Sequence, residues 1–177
     1  MSTKRILLPL LVALILMGCS SIPHQTENRN DVVAIKTVVD TFLSSILEKD
    51  KARFMSLFFS DRPEQIVWQA VVDDTSLEQI KSTNPKAIKA RHRPDNNFVA
   101  FIDGIVASKV REEETSSDLK IDTDGEVASV SFDYVYISNG KSTNHGREKW
   151  LLVRTEQGWK IISVVYTIRL PKPQSGG

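Results

Sequence analysis

A chain of 177 residues with 23 Lys and Arg against 22 Asp and Glu carries a formal charge of +1, which leaves no electrostatic case for nucleic acid. Its single cysteine, Cys19, excludes a disulfide-stapled scaffold, so the folded part must be held by an ordinary apolar core. The stretch from Asp31 to Leu170 is long enough for one domain with such a core.

Lys4 and Arg5 precede an uninterrupted apolar run of 12 residues, Ile6 to Met17. A membrane span takes about 20 apolar residues, so this run reads as a cleaved export signal and not as an anchor. Gly18-Cys19 closes it with a small residue before the thiol. Leu16-Met17-Gly18-Cys19 resembles the lipobox of bacterial lipoproteins. That resemblance implies cleavage before Cys19, diacylglycerol on its sulfur and acylation of the new amino group, a stable attachment to the membrane. Ser20 in the next position implies an outer-membrane location facing the periplasm in a Gram-negative envelope. Losing Lys4 and Arg5 takes the formal charge from +1 to −1. Residues 1–18 are thus read as signal peptide and 19–30 as lipidated cysteine and polar tether (SSIPHQTENRN). Residues 31–170 are read as the domain and 171–177 as a tail.

Within the domain, Val32, Ile35, Val39, Phe42 and Ile46 keep the three-and-four spacing of an amphipathic helix, with Asn30 or Asp31 placed to cap it. Asp50 opens a second, short helix over Lys51 to Phe59, interrupted before Pro63. Ile66 to Val72 reads as a short strand and Ser76 to Ser82 as a weak helix. A basic loop around Pro85 follows, with Lys81, Lys86, Lys89, Arg91 and Arg93. Asn97 to Ser108 is again helical in spacing, with Gly104 inside it.

Beyond Lys109 the pattern changes to alternation and turn chemistry. Lys109 to Ile121 is a charged strand, and Glu126 to Ile137 is the clearest one. Asn139-Gly140 marks a hairpin of type I′, Thr143 to Thr155 returns, and Gln157-Gly158 turns into Trp159 to Leu170. Glu112, Glu113 and Glu114 cannot converge on a cation, because consecutive side chains on a strand alternate, and they read as a solvated edge. Helices gathered early and strands gathered late make an α+β fold, with helices on one face of a curved antiparallel sheet.

The opening pair of helices (VVAIKTVVDTFLSSILEKDKARFMSLF), the strand Glu126 to Val130, Glu148 to Val153 and Gly158-Trp159-Lys160-Ile161 carry a resemblance to the nuclear transport factor 2-like superfamily. That family is cone-shaped and includes steroid isomerase, scytalone dehydratase and polyketide cyclase relatives. The resemblance implies a cone around a pocket, which in many members is inert, and frequent dimers through the sheet. The active residues of its enzymes do not transfer. The first helix has no tyrosine, Asp40 sits among polar neighbours, and the only histidines of the domain are His92 and His145. Ser163 and Val165 hold the positions after Trp159-Lys160-Ile161 where many relatives place a histidine, leaving that wall without a titratable group.

If Asn139-Gly140 is a two-residue turn, Tyr134 opposes His145 and Phe132 opposes Arg147. The other face then carries Asp133, Glu148 and Trp150. Tyr134, His145 and Arg147 are candidates to bind an anion, and Asp133, Glu148 and His145 are candidates for acid–base chemistry. The plainer reading is cross-strand pairs on a solvated face, and alternation does not say which face lines the cone. Trp68, Phe98 and Phe101, with Phe54 and Phe58, are candidates for an apolar pocket wall. No motif points to a metal, a cofactor, a nucleotide or a covalent nucleophile. The expectation is an envelope lipoprotein with a non-catalytic domain for binding a small apolar ligand or for assembly as a homodimer. A lyase or isomerase of the steroid isomerase type is the alternative.

Overall fold

The computed structural model describes residues 24–172. The segment read as signal peptide, Cys19, the start of the segment read as tether and residues 173–177 of the tail lie outside the described residues, and no helix among the described residues is long and apolar enough to cross a membrane. Helices α1 (His24–Glu48), α2 (Lys51–Met55), α3 (Asp74–Lys81) and α4 (Phe98–Ala107) pack with five strands. These are β1 (Val67–Val72), β2 (Glu112–Thr123), β3 (Val127–Ser138), β4 (Lys141–Thr155) and β5 (Gly158–Ile168).

Local chemistry starts three of the helices. Asp50 accepts from Arg53 N, Asp73 from Ser76 N and Asn97 from Ala100 N, each satisfying an amide that the first turn leaves unpaired. The longest helix is an exception to its expected start. It begins at His24, so Asp31 lies inside it and caps nothing. Asp31 is instead buried, and its carboxylate accepts from Arg154 Nη1 at 3.1 Å and from Trp159 Nε1 at 3.4 Å. One turn of α1 is thereby tied to the end of β4 and the start of β5. Ile35, Val39, Phe42 and Ile46 form its fully buried stripe.

The sheet runs β1-β5-β4-β3-β2. It is mixed: β1 lies parallel to β5, and the other pairs are antiparallel. Helices cover its inner face, where Phe42 meets Trp150 at 4.8 Å between ring centroids and Phe54 at 4.9 Å. The basic loop is largely neutralised within itself and by α3, through Lys81 with Glu78, Lys89 with Asp74 and Arg93 with Asp95.

Bulges decide which side chains face inward. Ile137 pairs with Ser142 but Tyr136 pairs with Asn144, so Thr143 is an extra residue on β4. The register expected from a plain two-residue turn is therefore shifted by one. Tyr134 opposes Gly146 and not His145, and Phe132 opposes Glu148 and not Arg147. A second bulge lets Leu151 pair with Ser163 while Leu152 pairs with Ile161, leaving Ile162 extra on β5. Val164 and Tyr166 consequently point inward in place of Ser163 and Val165, so that wall does carry a titratable group.

Candidate functional site

Where the aromatic core opens, the inner face of the sheet and the covering helices enclose a cavity of about 250 Å³. Phe42 of α1 and Phe101 of α4 line one side, and Trp68, Tyr134, Tyr136 and Tyr166 the others. Two carboxylates, Glu114 of β2 and Glu148 of β4, project into this aromatic shell, with Asn144 beside them. Both are buried: Glu114 is 6% exposed and Glu148 4%.

Glu148 Oε2 accepts a hydrogen bond from Trp150 Nε1 at 2.5 Å. Burial pushes its carboxyl up to about 7, and the indole N–H works against that rise. Glu114 is pushed well above the ordinary carboxyl range, first by burial and then by the charge of Glu148. Its Oε1 is buried with no hydrogen-bond partner, and so is Trp68 Nε1. Neighbouring Glu112 is likewise buried, yet its Oε1 accepts from Ser108 Oγ at 2.7 Å and Ser138 Oγ at 3.1 Å.

The tyrosines report the same field. Burial, then Glu148 and Glu114, raise the Tyr134 phenol far above its usual range. Tyr166 is raised to about 12 by burial and then Glu148. Tyr136 is raised by burial and then by Glu112. The Tyr134 hydroxyl lies 2.8 Å from Asn144 Oδ1 and 2.9 Å from the Thr167 carbonyl, either of which can accept its one proton. Among the described residues, no basic side chain lines the cavity. Both carboxyls are thus pushed toward their protonated forms by burial, and the charge of one opposes ionisation of the other.

The structure separates the candidates named from the sequence. Glu148, Tyr134, Trp68 and Phe101 line the cavity. Asp133 and Arg147 pair with each other on the outer face: Arg147 Nε and Nη2 donate to the Asp133 carboxylate at 2.7 and 2.9 Å, and Nη2 also donates to Asp118 at 2.9 Å. The expectation that Asp133 and Glu148 share a face, and that Tyr134, His145 and Arg147 share the other, is thus corrected by the Thr143 bulge. His145 is exposed, and its backbone pairs with Arg169. Phe98 is plain core, stacked on Phe58 at 4.2 Å.

Glu114, Tyr136, Asn144 and Tyr166 complete the site without having been singled out. The reading of Glu112 to Glu114 as a solvated edge fails for two of the three, because α1 packs over β2 and buries Glu112 and Glu114 while Glu113 points away. Alternation did place Glu112 and Glu114 on one face; nothing local told that the face was covered.

No family model and no curated protein matches this sequence. Solved structures do match. An NTF2-like protein with a cystatin-like fold from Novosphingobium aromaticivorans is similar at a TM-score of 0.58 and 12% identity, over 92% of this chain and 94% of that one. A candidate dehydratase of the NTF2-like family from Streptomyces avermitilis gives a TM-score of 0.58 at 14% identity, over 81% and 99%. A hexachlorocyclohexane dehydrochlorinase from Novosphingobium barchaimii gives 0.57 at 11%, over 86% and 96%. At such identities the likeness speaks for architecture and not for chemistry. The chain has the nuclear transport factor 2-like, cystatin-like fold.

Proposed function

We propose that this is a lipoprotein of the bacterial cell envelope, tethered through Cys19, whose cone binds a small apolar or amphipathic molecule against Glu114 and Glu148. The observation that carries the binding reading is the pair of glutamates buried in an aromatic cavity, one with an unpartnered oxygen. A core that served only stability has no use for such groups, since an unpaired buried carboxyl costs free energy that an apolar side chain of similar size does not. Native mass spectrometry of gently purified protein is expected to show a bound small molecule that is missing from Ile168→Trp, which fills the cavity. Identical spectra from the two folded proteins would sink the binding reading.

The envelope reading stands on Leu16 to Cys19. Cys19→Ala is expected to leave an unprocessed precursor without labelled fatty acid, and persisting label would overturn it.

A second reading has its own observation. Two carboxyls raised by burial in one cavity, Glu148 to about 7, can remove a proton from one atom of a ligand and return it at another, the chemistry of a lyase or isomerase. The dehydrochlorinase and the candidate dehydratase named above show that the scaffold accommodates proteins so described. On any substrate found, turnover should fall by about 100-fold or more in Glu148→Gln and remain unchanged in His145→Ala. The reverse pattern would remove this reading.

A further inference from the structure

We infer that the molecule the cone takes is a small organic monocation, a protonated amine or quaternary ammonium carried on an apolar body. The inference rests on the binding reading above and names its ligand class. Glu114 and Glu148 both enter the cavity, and no Lys, Arg or His is among its lining residues to neutralise them. Glu114 Oε1 stands buried without a donor. Fold-internal charges therefore leave this site short of positive charge, and a ligand cation is the group that supplies it.

The walls fit the same ligand. Trp68 lies 5.3 Å from Phe101 and 5.8 Å from Tyr166 between ring centroids, tilted and edge-on, and Phe101 meets Tyr136 edge-on at 6.2 Å. All four rings line the cavity, and a cation placed against an aromatic face is held by the ring quadrupole, which is how aromatic side chains hold ammonium groups. An ammonium N–H or a polarised N-methyl group would lie against Glu114 Oε1, with the apolar body along Phe42 and Ile168.

Binding then couples to protons. The groups facing the pair are Glu112 from β2, Tyr134 and Tyr136 from β3 and Tyr166 from β5, with Arg169 farther out and felt through Tyr134. Trp68, Phe42 and Phe101 bring no charge from β1, α1 and α4. An arriving cation favours the ionised carboxylates, so it expels protons that burial had kept on. Affinity accordingly falls as acidification protonates the pair.

The test is calorimetry of the lipidated protein in zwitterionic-lipid nanodiscs, titrated with 2-phenylethylammonium chloride and with its neutral isostere 2-phenylethanol. The cation is expected to bind about tenfold tighter or better at neutral to mildly basic pH. It should release protons, read as a dependence of the heat on the ionisation enthalpy of the buffer, and lose its advantage in acid. Glu114→Gln with Glu148→Gln should abolish the preference while the alcohol still binds. Asp133→Asn, whose carboxylate lies on the outer face, should leave it intact. Equal affinities, an alcohol preference, or a preference that survives the double substitution would overturn the cationic ligand and leave the cone reading standing. Uptake of neither probe overturns it as well, and the mass spectrum of the gently purified protein then decides the cone reading separately.

Discussion

Acidification from about pH 8 to about pH 5.5 is expected to raise the melting temperature of this domain, the opposite of ordinary acid destabilisation. The cause is the buried pair. Glu148 has its folded value raised to about 7 and Glu114 is raised well above the ordinary range, while in the unfolded chain both return to 4.5. Between those values the folded state holds protons that the unfolded state has released, so stability falls as pH rises. The contribution is fully present below the unfolded value and is lost as pH climbs through the folded one. A carboxyl raised from 4.5 to about 7 forfeits ~3 kcal/mol across that window, and Glu114 adds to it with the same sign.

Groups of the opposite kind do not obscure the window. Asp73 is held low by Ser76, Asp124 by the backbone N–H groups of Val127 and Glu126, and Asp133 by Arg147. Their stabilisation is present above the unfolded aspartate value of ~3.9 and is lost only at more acid pH. Scanning calorimetry should show a gain of roughly 5 °C or more on acidification in the wild type, given ~2–4 °C per kcal/mol for a domain of this size. Glu114→Gln with Glu148→Gln should flatten the profile and melt higher than the wild type at the basic end. A wild-type melting point that stays level or drops over this range would show that the two carboxyls do not share a dry cavity.

Gly146→Ala is expected to be the most damaging methyl addition. Gly146 faces inward opposite Tyr134, and a Cβ built there falls well inside van der Waals contact of the Thr167 carbonyl oxygen and 2.8 Å from the Thr167 carbonyl carbon and Oγ1. The obstruction is backbone, so no rotamer relieves it. Yielding would also break the hydrogen bonds by which Thr167 holds the Tyr134 hydroxyl at 2.9 Å and the Arg147 amide at 2.9 Å. A loss of about 3 kcal/mol or more is expected in urea unfolding, with the cavity wall loosened. Gly104→Ala makes the matched control. It lies in α4, where an added Cβ meets nothing within 4 Å, and should stabilise by ~0.5–1 kcal/mol through helix propensity alone. Equal effects at the two glycines would show that β4 and the end of β5 do not approach this closely.

Much of the fold was legible residue by residue because its causes are local. Asp50, Asp73 and Asn97 reach amides three residues on, and the turn at Asn139-Gly140 uses positive φ at both positions. Ile35, Val39, Phe42 and Ile46 declare a buried helical stripe by spacing alone. The candidate site was legible only in part. Glu148, Tyr134, Trp68 and Phe101 were singled out, but with Asp133, His145 and Arg147 assigned to faces they do not occupy.

The division has a physical reason. Element types, the caps of α2, α3 and α4 and the hairpin follow from neighbours along the chain, so the sequence by itself determined them. The extra residues Thr143 and Ile162 reverse the parity of everything beyond them, and a bulge is settled by how the whole sheet curves over its helices. Whether Glu112 and Glu114 meet water or the cone depends on α1, more than 60 residues earlier, lying across β2. Only the tertiary structure decided these points, and with them that two carboxylates from different strands share one aromatic cavity.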